Sequence, residues 1–571
     1  MIAKLLTMLL GLTLILIVAC GSAAEPTAAP AAEPTAAPVV SATSQPTDTP
    51  QMADPPAEVE VNPGKLTMMV GDLATERFAY AFANAPGGSN YMRIMGGYLI
   101  STNERTEMVP GIASQWDLSP DGLTWTFTIR EGVKFHDGTD VTTEDALWSL
   151  QHTFGPQAFE YATGSQARIS RLMDEIELSG PDEVSVTTKE PAVELASEVS
   201  EAAPRWHHVM PKRATVHDTE EEEAYDRNPI GAGFMRLVKH VPASVMQFER
   251  FDDFYYQPNN GFPEDKRVNF QSLDLFLAPE EATRVAALRA GEADIVPASL
   301  AAKEQVEAGG GRLVFGKEGL VVALALRGCW EPQYPCHDKR VRQALHYAID
   351  KELIRDRLYG GPTVFEVKGW WVVTPSTMGY TPELDPWPFD PDKARQLLAD
   401  AGYPGGQGFG KLIVNTWPST SMPLQVEAAQ LGAEFWKREL GLDAEVRVGD
   451  STGIKERDVA GELHGQIIWR EQDARIEATN FTGSAYGDPK NPTRMHEDPE
   501  LFRLVQETIQ ILDADQRAEA SKALFLHLRD ESHNLGIGYA NIPWAVGPRV
   551  LTWDPYPLAL WPSALHTITL K

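Results

Sequence analysis

A chain of 571 residues is too long for a single hydrophobic core, so at least two lobes are expected. A formal net charge of −30 leaves none of the basic footprint that a nucleic-acid binder needs. The hydrophobic fraction of 43% and the 14 tryptophans suit a large globular protein.

In chain order, Lys4 is the only charge before an apolar run from Leu5 to Ala19. That run is shorter than the roughly 20 residues of a membrane-spanning helix and fits the core of a secretory signal. It ends in Ile17-Val-Ala-Cys20-Gly21, which resembles a bacterial lipobox. The resemblance implies a signal peptide over residues 1–20 and a lipid on Cys20, which anchors a protein to a membrane without spanning it. No later apolar run approaches a membrane span. The octapeptide AAEPTAAP follows twice, at 23–30 and 31–38, and Pro, Ala, Thr and Ser continue to about Pro63. Residues 21–64 therefore read as an extended, solvated tether, able at about 3 Å per residue to hold a folded part several tens of ångströms off the membrane.

From Leu66 strand and helix signals alternate. Leu123–Arg130 is a period-two strand with Leu123, Trp125, Phe127 and Ile129 on one face. Turn chemistry at His136–Thr139 leads to a capping box, Thr142-x-x-Asp145, opening a helix that carries Ala146, Leu147 and Leu150. Cys329 and Cys336 enclose a short loop, and in an exported protein a local disulfide is the favoured pairing, contributing about 2–3 kcal/mol on the chain-entropy model. The rival, a metal site with His337, has no common zinc spacing. Asp338 can cap a helix whose inner face is Val341, Leu345, Ala348, Ile349 and Leu353, ending at Gly360-Gly361. Asp390-Pro391 starts another that Gly402 closes, Leu412–Trp417 is an apparent strand, Leu501–Leu512 reads as a helix, and Asp513-x-x-Gln516 opens the next, to about Asp530. Strands mixed with helices throughout predict α/β lobes.

Five stretches, in this order, resemble the family 5 extracellular solute-binding proteins, the receptors of oligopeptide, dipeptide and nickel ABC importers. They are Pro110–Thr139 with Glu144-Asp145, Asn228-Pro-Ile-Gly-Ala-Gly-Phe234, Ala290-Gly-Glu-Ala-Asp-Ile295, Lys339-Arg-Val-Arg-Gln-Ala-Leu-His-Tyr-Ala-Ile-Asp350 and Phe389–Tyr403. The first, with its Thr-Trp-Thr-Phe-Thr-Ile-Arg-Glu-Gly-Val-Lys-Phe-His-Asp-Gly core, is long enough to be specific. Most of these motifs are turns, caps and core faces. The resemblance implies a two-lobe, periplasmic-binding-protein-like α/β fold with a ligand cleft between the lobes. It also implies lobe one over 65–312, lobe two over 313–535 and a C-terminal return over 536–571. A monomer held by its lipid outside the cytoplasmic membrane would hand a peptide or other small solute to importer permease subunits, with no cofactor and no nucleic acid.

Enzyme signatures are weak beside this. Gly405-Gly-Gln-Gly-Phe-Gly-Lys-Leu412 approximates a phosphate-binding loop, but Leu412 stands where Ser or Thr must bind magnesium, and the segment precedes a strand instead of a helix. There is no G-x-S-x-G and no H-E-x-x-H. His207-His208 reads as surface or partly buried histidine, since adjacent side chains diverge. A secreted hydrolase is the least favoured class.

The family resemblance also assigns a site. A second-lobe strand of the family ends in a pattern like W-x-x-D-Y-x-D-P, whose tryptophan lines the cleft and whose first aspartate receives a peptide's α-ammonium. In Trp469-Arg470-Glu471-Gln472-Asp473 the tryptophan fits, Gln472 takes the aspartate's place, and Asp473 follows one residue late. Glutamine cannot neutralise an ammonium, so Glu471 or Asp473 is the expected partner of a peptide amine. The departure equally admits an oligosaccharide or other non-peptide solute stacking on aromatic faces, for which Trp330, Trp370, Trp371, Trp417 and Trp469 are candidates. Of Trp370 and Trp371, one ring is expected at the cleft, and no metal ligand is expected at the site.

Overall fold

A computed structural model describes residues 62–571 apart from 74–75, 77, 79–88, 156–168, 202–206, 213–224, 226, 420–421, 423, 487–493 and 559–561. The proposed signal, Cys20 and nearly all of the proposed tether lie outside the described residues. The largest sheet has eleven strands. Ten of them run, edge to edge, in the order 443–448, 411–416, 467–473, 312–326, 534–546, 295–297, 62–70, 270–277, 245–250 and 235–241.

Two long strands in the middle of that order join the halves. Arg312–Leu326 and Asn534–Val546 pair antiparallel, with register breaks between Gly316 and Leu320 and between Val322 and Ala323. Their ends enter different cores. Trp544 and Val546 pack with Leu66, Met68, Phe270 and Leu273 on the first-lobe side, whereas Leu324, Leu326, Leu535 and Ile537 pack with Val341, Leu345, Trp436 and Trp469 on the second. A sheet shared by two separate cores is how two α/β lobes remain linked by paired strands. The first lobe adds a four-stranded antiparallel sheet, in the order 113–118, 124–129, 183–188 and 173–178. In it Trp125, Phe127 and Ile129 alternate inward as their spacing predicts.

Local signals reappear as geometry. Thr142 and Asp145 form the reciprocal capping box ahead of helix Thr143–Phe154. Asp390 caps Pro391–Asp400, Asp513 caps Ala514–Glu531, and Cys329 and Cys336 are joined in a disulfide. The segment expected as one helix from Asp338 to Gly360 is instead two. Lys339–Tyr347 stops, and Asp350, in extended backbone, recaps the chain through the amide of Leu353. The restart rotates the helical register, so Leu353 faces solvent and not the core. The helix expected over Leu501–Leu512 runs from Pro499 to Thr508, capped by Asp498.

His207 and His208 correct the expectation of surface or partly covered histidine: both are buried. Burial depresses their pKa values to about 3, and for His207 the neighbouring His208 adds to the effect. His136 is also buried and neutral, pushed down to about 4 by burial. Its Nε2 lies 3.0 Å from the Gly233 carbonyl oxygen, and its Nδ1 accepts from the Gly231 amide at 3.3 Å. That pair of contacts needs the tautomer with the proton on Nε2.

Candidate functional site

Strand Ile467–Asp473 begins as core and ends in polar side chains. It lies against Arg312–Leu326, with Leu324 opposite Trp469 and Val322 opposite Glu471. Alternation divides the candidate residues between the two faces of the sheet. Ile467 and Trp469 join one second-lobe core, and Ile468 joins the other, which contains Trp371 and Tyr486.

Trp469 is a core residue with no exposed surface, which corrects its expected place on the cleft wall. It sits under helix Gln425–Leu440 at Gly432, where a β-carbon would lie 2.3 Å from the indole Cζ3. Only glycine lets the helix approach the ring so closely. Trp370 is equally buried, against the rings of His346 and Trp387. Trp371 is buried too, its ring stacked 6.0 Å from Phe481 and edge-on to Tyr486 at 5.4 Å. Trp417 is partly buried and packs on the core that holds Trp371. Trp330 stands apart, edge-on to His464 and His496 with the Arg494 guanidinium over it. The tryptophans thus do not form an open stacking platform.

The polar residues are only partly covered. Arg470 donates to the Gln472 side chain at 2.7 Å and to the Glu471 carbonyl at 3.3 Å. Burial lowers the Arg470 pKa, against the opposing pull of Glu471, Asp458 and Asp473. Glu471 accepts from the Ser419 hydroxyl at 2.9 Å, and its other carboxylate oxygen is buried with no hydrogen-bond partner among the described residues.

A cavity between elements of both lobes opens just beyond this strand. One wall is the short first-lobe helix Leu195–Glu198 with Glu194, where Glu194 and Glu198 are buried acids. The other wall is second-lobe: Met378, Arg475, Glu477, Phe481 and Arg517. Arg517 is held by the Ile511 and Leu512 carbonyls, both at 2.9 Å, and reaches Glu477 at 3.2 Å. Burial raises the Glu477 pKa, and Arg517 opposes that shift. Arg475 lays its guanidinium 4.1 Å from the Phe481 ring centre, so Trp371 stands one aromatic layer behind the cavity. Beside it, a β-carbon on Gly122 would lie 2.8 Å from a methyl of Leu512, so the small first-lobe sheet rests on the second lobe. The cavity has a volume of only about 20 Å³, about the room of a single water. It must widen to admit a solute.

Sequence reasoning passed over Glu194, Glu198, Arg475, Phe481 and Arg517 as site residues. The available signal was charge. Arg475 and Glu477 follow the polar strand exit directly, and Glu190, Glu194, Glu198 and Glu201 recur in a short first-lobe stretch.

Residues 107–496 match the model of the bacterial extracellular solute-binding proteins, family 5. Heme-binding protein A of Haemophilus influenzae is 24% identical over 486 residues, covering 78% of this chain and 84% of that protein. The dipeptide-binding protein of Escherichia coli is 26% identical over 347 residues, covering 56% and 58%. The glutathione-binding protein GsiB of Pectobacterium atrosepticum is 26% identical over 391 residues, covering 68% of each. Among solved structures, HbpA2 from Haemophilus parasuis superposes with a TM-score of 0.72 at 20% identity, over 89% of this chain and all of that one. The oligopeptide-binding protein AppA from Bacillus subtilis, in complex with a nonapeptide, gives 0.69 at 17% identity, over 89% and 99%.

Proposed function

We propose that this chain, which belongs to the bacterial extracellular solute-binding proteins of family 5, is a lipid-anchored receptor that captures a small zwitterionic, peptide-like solute and passes it to an ABC importer. Membership of that family makes it a binding protein and not an enzyme, and sets aside the hydrolase reading. The observation that carries the solute class is the cavity between the lobes, with buried Glu194 and Glu198 on one wall and Arg475 on the other. Arg517 and Glu477 pair with each other, and Arg475 faces the first-lobe acids across the cavity, so both walls carry charge. Acids on one wall and a guanidinium on the other complement a zwitterion in sign, and a neutral oligosaccharide carries no charge to match them. Names of the relatives support the same class: a dipeptide-binding and a glutathione-binding protein are among them. Lobe one is 65–312 with the return 536–571, lobe two is 313–535, and hinge opening at the two long strands admits the solute.

The test is mass spectrometry of small molecules released by denaturing the purified protein, followed by calorimetry with the molecule found. A zwitterionic peptide or amino-acid derivative, bound less tightly by Arg475→Ala, is the expected result. A neutral sugar, or an affinity indifferent to Arg475, overturns the solute class. For the anchor, Cys20→Ser moves the protein out of the membrane fraction, and equal retention of the variant refutes it.

A further inference from the structure

Three side chains outside the cavity lining converge on one point of the second lobe. Asp498 caps helix Pro499–Thr508, its Oδ1 accepting from the amides of Glu500 and Leu501 at 2.9 and 3.0 Å. That fixes the carboxylate and leaves Oδ2 facing two imidazoles. His527 Nε2 lies 2.8 Å from it and His533 Nε2 lies 2.6 Å. His527 stands near the end of helix Ala514–Glu531, and His533 immediately precedes strand Asn534–Val546. Between them Ser532 takes a left-handed conformation, φ 52°, which turns the chain so that both rings meet one oxygen. One donor atom from each of the three residues lies within 4.8 Å of the others.

We infer that Asp498, His527 and His533 form a binding site for a divalent transition-metal ion of the zinc type. Two imidazole nitrogens and a carboxylate oxygen are the donor set such an ion prefers, and three protein ligands leave a position for water. Ligand atoms around a tetrahedral zinc stand roughly 3.3 Å apart, given bonds of about 2.0–2.1 Å. From 2.8 and 2.6 Å, the two imidazole nitrogens would each move about 0.5–0.7 Å from Oδ2 to reach that spacing. The site is rigid on one side and open on the other: His533 is 2% exposed, and the side chain of His527 is 26% exposed, which supplies an entry path. Beside it His496, also buried, has its ring centre 4.0 Å from that of His533, and its Nε2 has no hydrogen-bond partner among the described residues. A side-chain rotation would offer that nitrogen as a fourth donor. The nearby Arg342 guanidinium is engaged by the carbonyls of Glu531, Cys336 and His337, and a Glu531 carboxylate oxygen lies 3.7 Å from it. Without a metal, both imidazoles converge on the same carboxylate oxygen. A bound ion would tie the start of the return strand to two helices of the second lobe.

The full chain, stripped with a chelator and dialysed, is titrated with Zn²⁺ against a competing fluorescent chelator, and the bound metal is counted by mass spectrometry. One equivalent is expected, with a rise in Tm on binding. In His527→Ala and in Asp498→Asn, which retains the helix cap, affinity falls by more than about 100-fold and the Tm rise disappears, since even outer-shell losses cost 10–100-fold. The asparagine variant decides the matter if the alanine variant fails to fold. No stoichiometric ion in the parent protein, or equal binding by parent and variants, refutes the site.

Discussion

Residues 467–469 and 470–477 are neighbours in sequence with opposite fates. The first three are sealed in the second lobe's cores, with Trp469 beneath Gly432. The next eight are partly covered, apart from buried Ala474, and end at the cavity with Arg475 and Glu477. Helix Gln425–Leu440 covers Trp469, whereas Glu471, two residues on, meets Ser419 instead. An aromatic at a strand end is thus assigned to core or cleft by what covers it, which strand periodicity does not reveal. The contrast also separates two kinds of mutational effect, stability before the boundary and binding after it.

The largest expected effect is on the sealed side. Trp469→Ala removes a fully buried indole and should destabilise by about 3–5 kcal/mol, measured by urea denaturation. Gly432→Ala presses on the same ring from the other side and should cost about 1–3 kcal/mol. If Trp469→Ala leaves stability unchanged and abolishes solute binding, the boundary is misplaced and the ring belongs to the cleft.

The first lobe repeats the contrast with histidines, as a pH effect. His136, His207 and His208 are held neutral by burial, with pKa values of about 4, 3 and 3. In the unfolded chain they protonate near the usual 6.5. The folded protein binds fewer protons, so their contribution is complete above about pH 6.5 and is lost as pH falls through the folded values. Each histidine should contribute a slope of about 1.4 kcal/mol per pH unit below 6.5. Urea midpoints at pH 7.5, 6 and 5 follow the loss, and His136→Gln should flatten it. An unchanged slope in that variant removes His136 from the account.

How much of this was legible in the sequence follows the same boundary. Caps and strand faces depend on a few neighbouring residues, and so the Thr142–Asp145 box, the Asp390 and Asp513 caps and the inward face of Trp125, Phe127 and Ile129 could be read directly. The break at Asp350 was less accessible, because apolar spacing from Val341 to Leu353 suits one helix while a single aspartate recaps the chain. The cavity was least accessible. Its walls come from residues about 280 positions apart in sequence, as Glu194 and Arg475 are. No local pattern states that such distant charges face each other. The tryptophans misled because a large aromatic suits a core and a ligand face equally well.

On the open side of the boundary, Arg475→Ala should weaken solute binding about tenfold, the loss of a partly solvated charged contact. Arg475 has only partial cover and lies on the surface of Phe481, so stability should change by under about 1 kcal/mol. Calorimetry paired with urea denaturation separates the two quantities. A large stability loss with unaltered affinity per folded molecule would make Arg475 part of the scaffold.

The smallest effect is expected at Glu471, and it probes the comparison most sharply. The family pattern makes this acid a candidate for a ligand amine, and its unpartnered oxygen suits that role chemically. Strand alternation, however, puts it on the face of Trp469, where it meets Ser419, while Trp371 belongs to the core behind the opposite face with Phe481 and Arg475. A carboxylate there is two-faced in energy: its hydrogen bond to Ser419 stabilises it, and the buried, unpartnered oxygen costs a comparable amount. Glu471→Gln keeps the acceptor for Ser419 and removes the charge, so stability should move by less than about 1 kcal/mol. Affinity for the identified solute should change by less than about threefold if the solute sits between Arg475 and the first-lobe acids, a difference below about 0.7 kcal/mol. A drop of tenfold or more, with Arg475→Ala silent, would place the bound amine on the Ser419 face of the strand and move the site to the other side of the sheet.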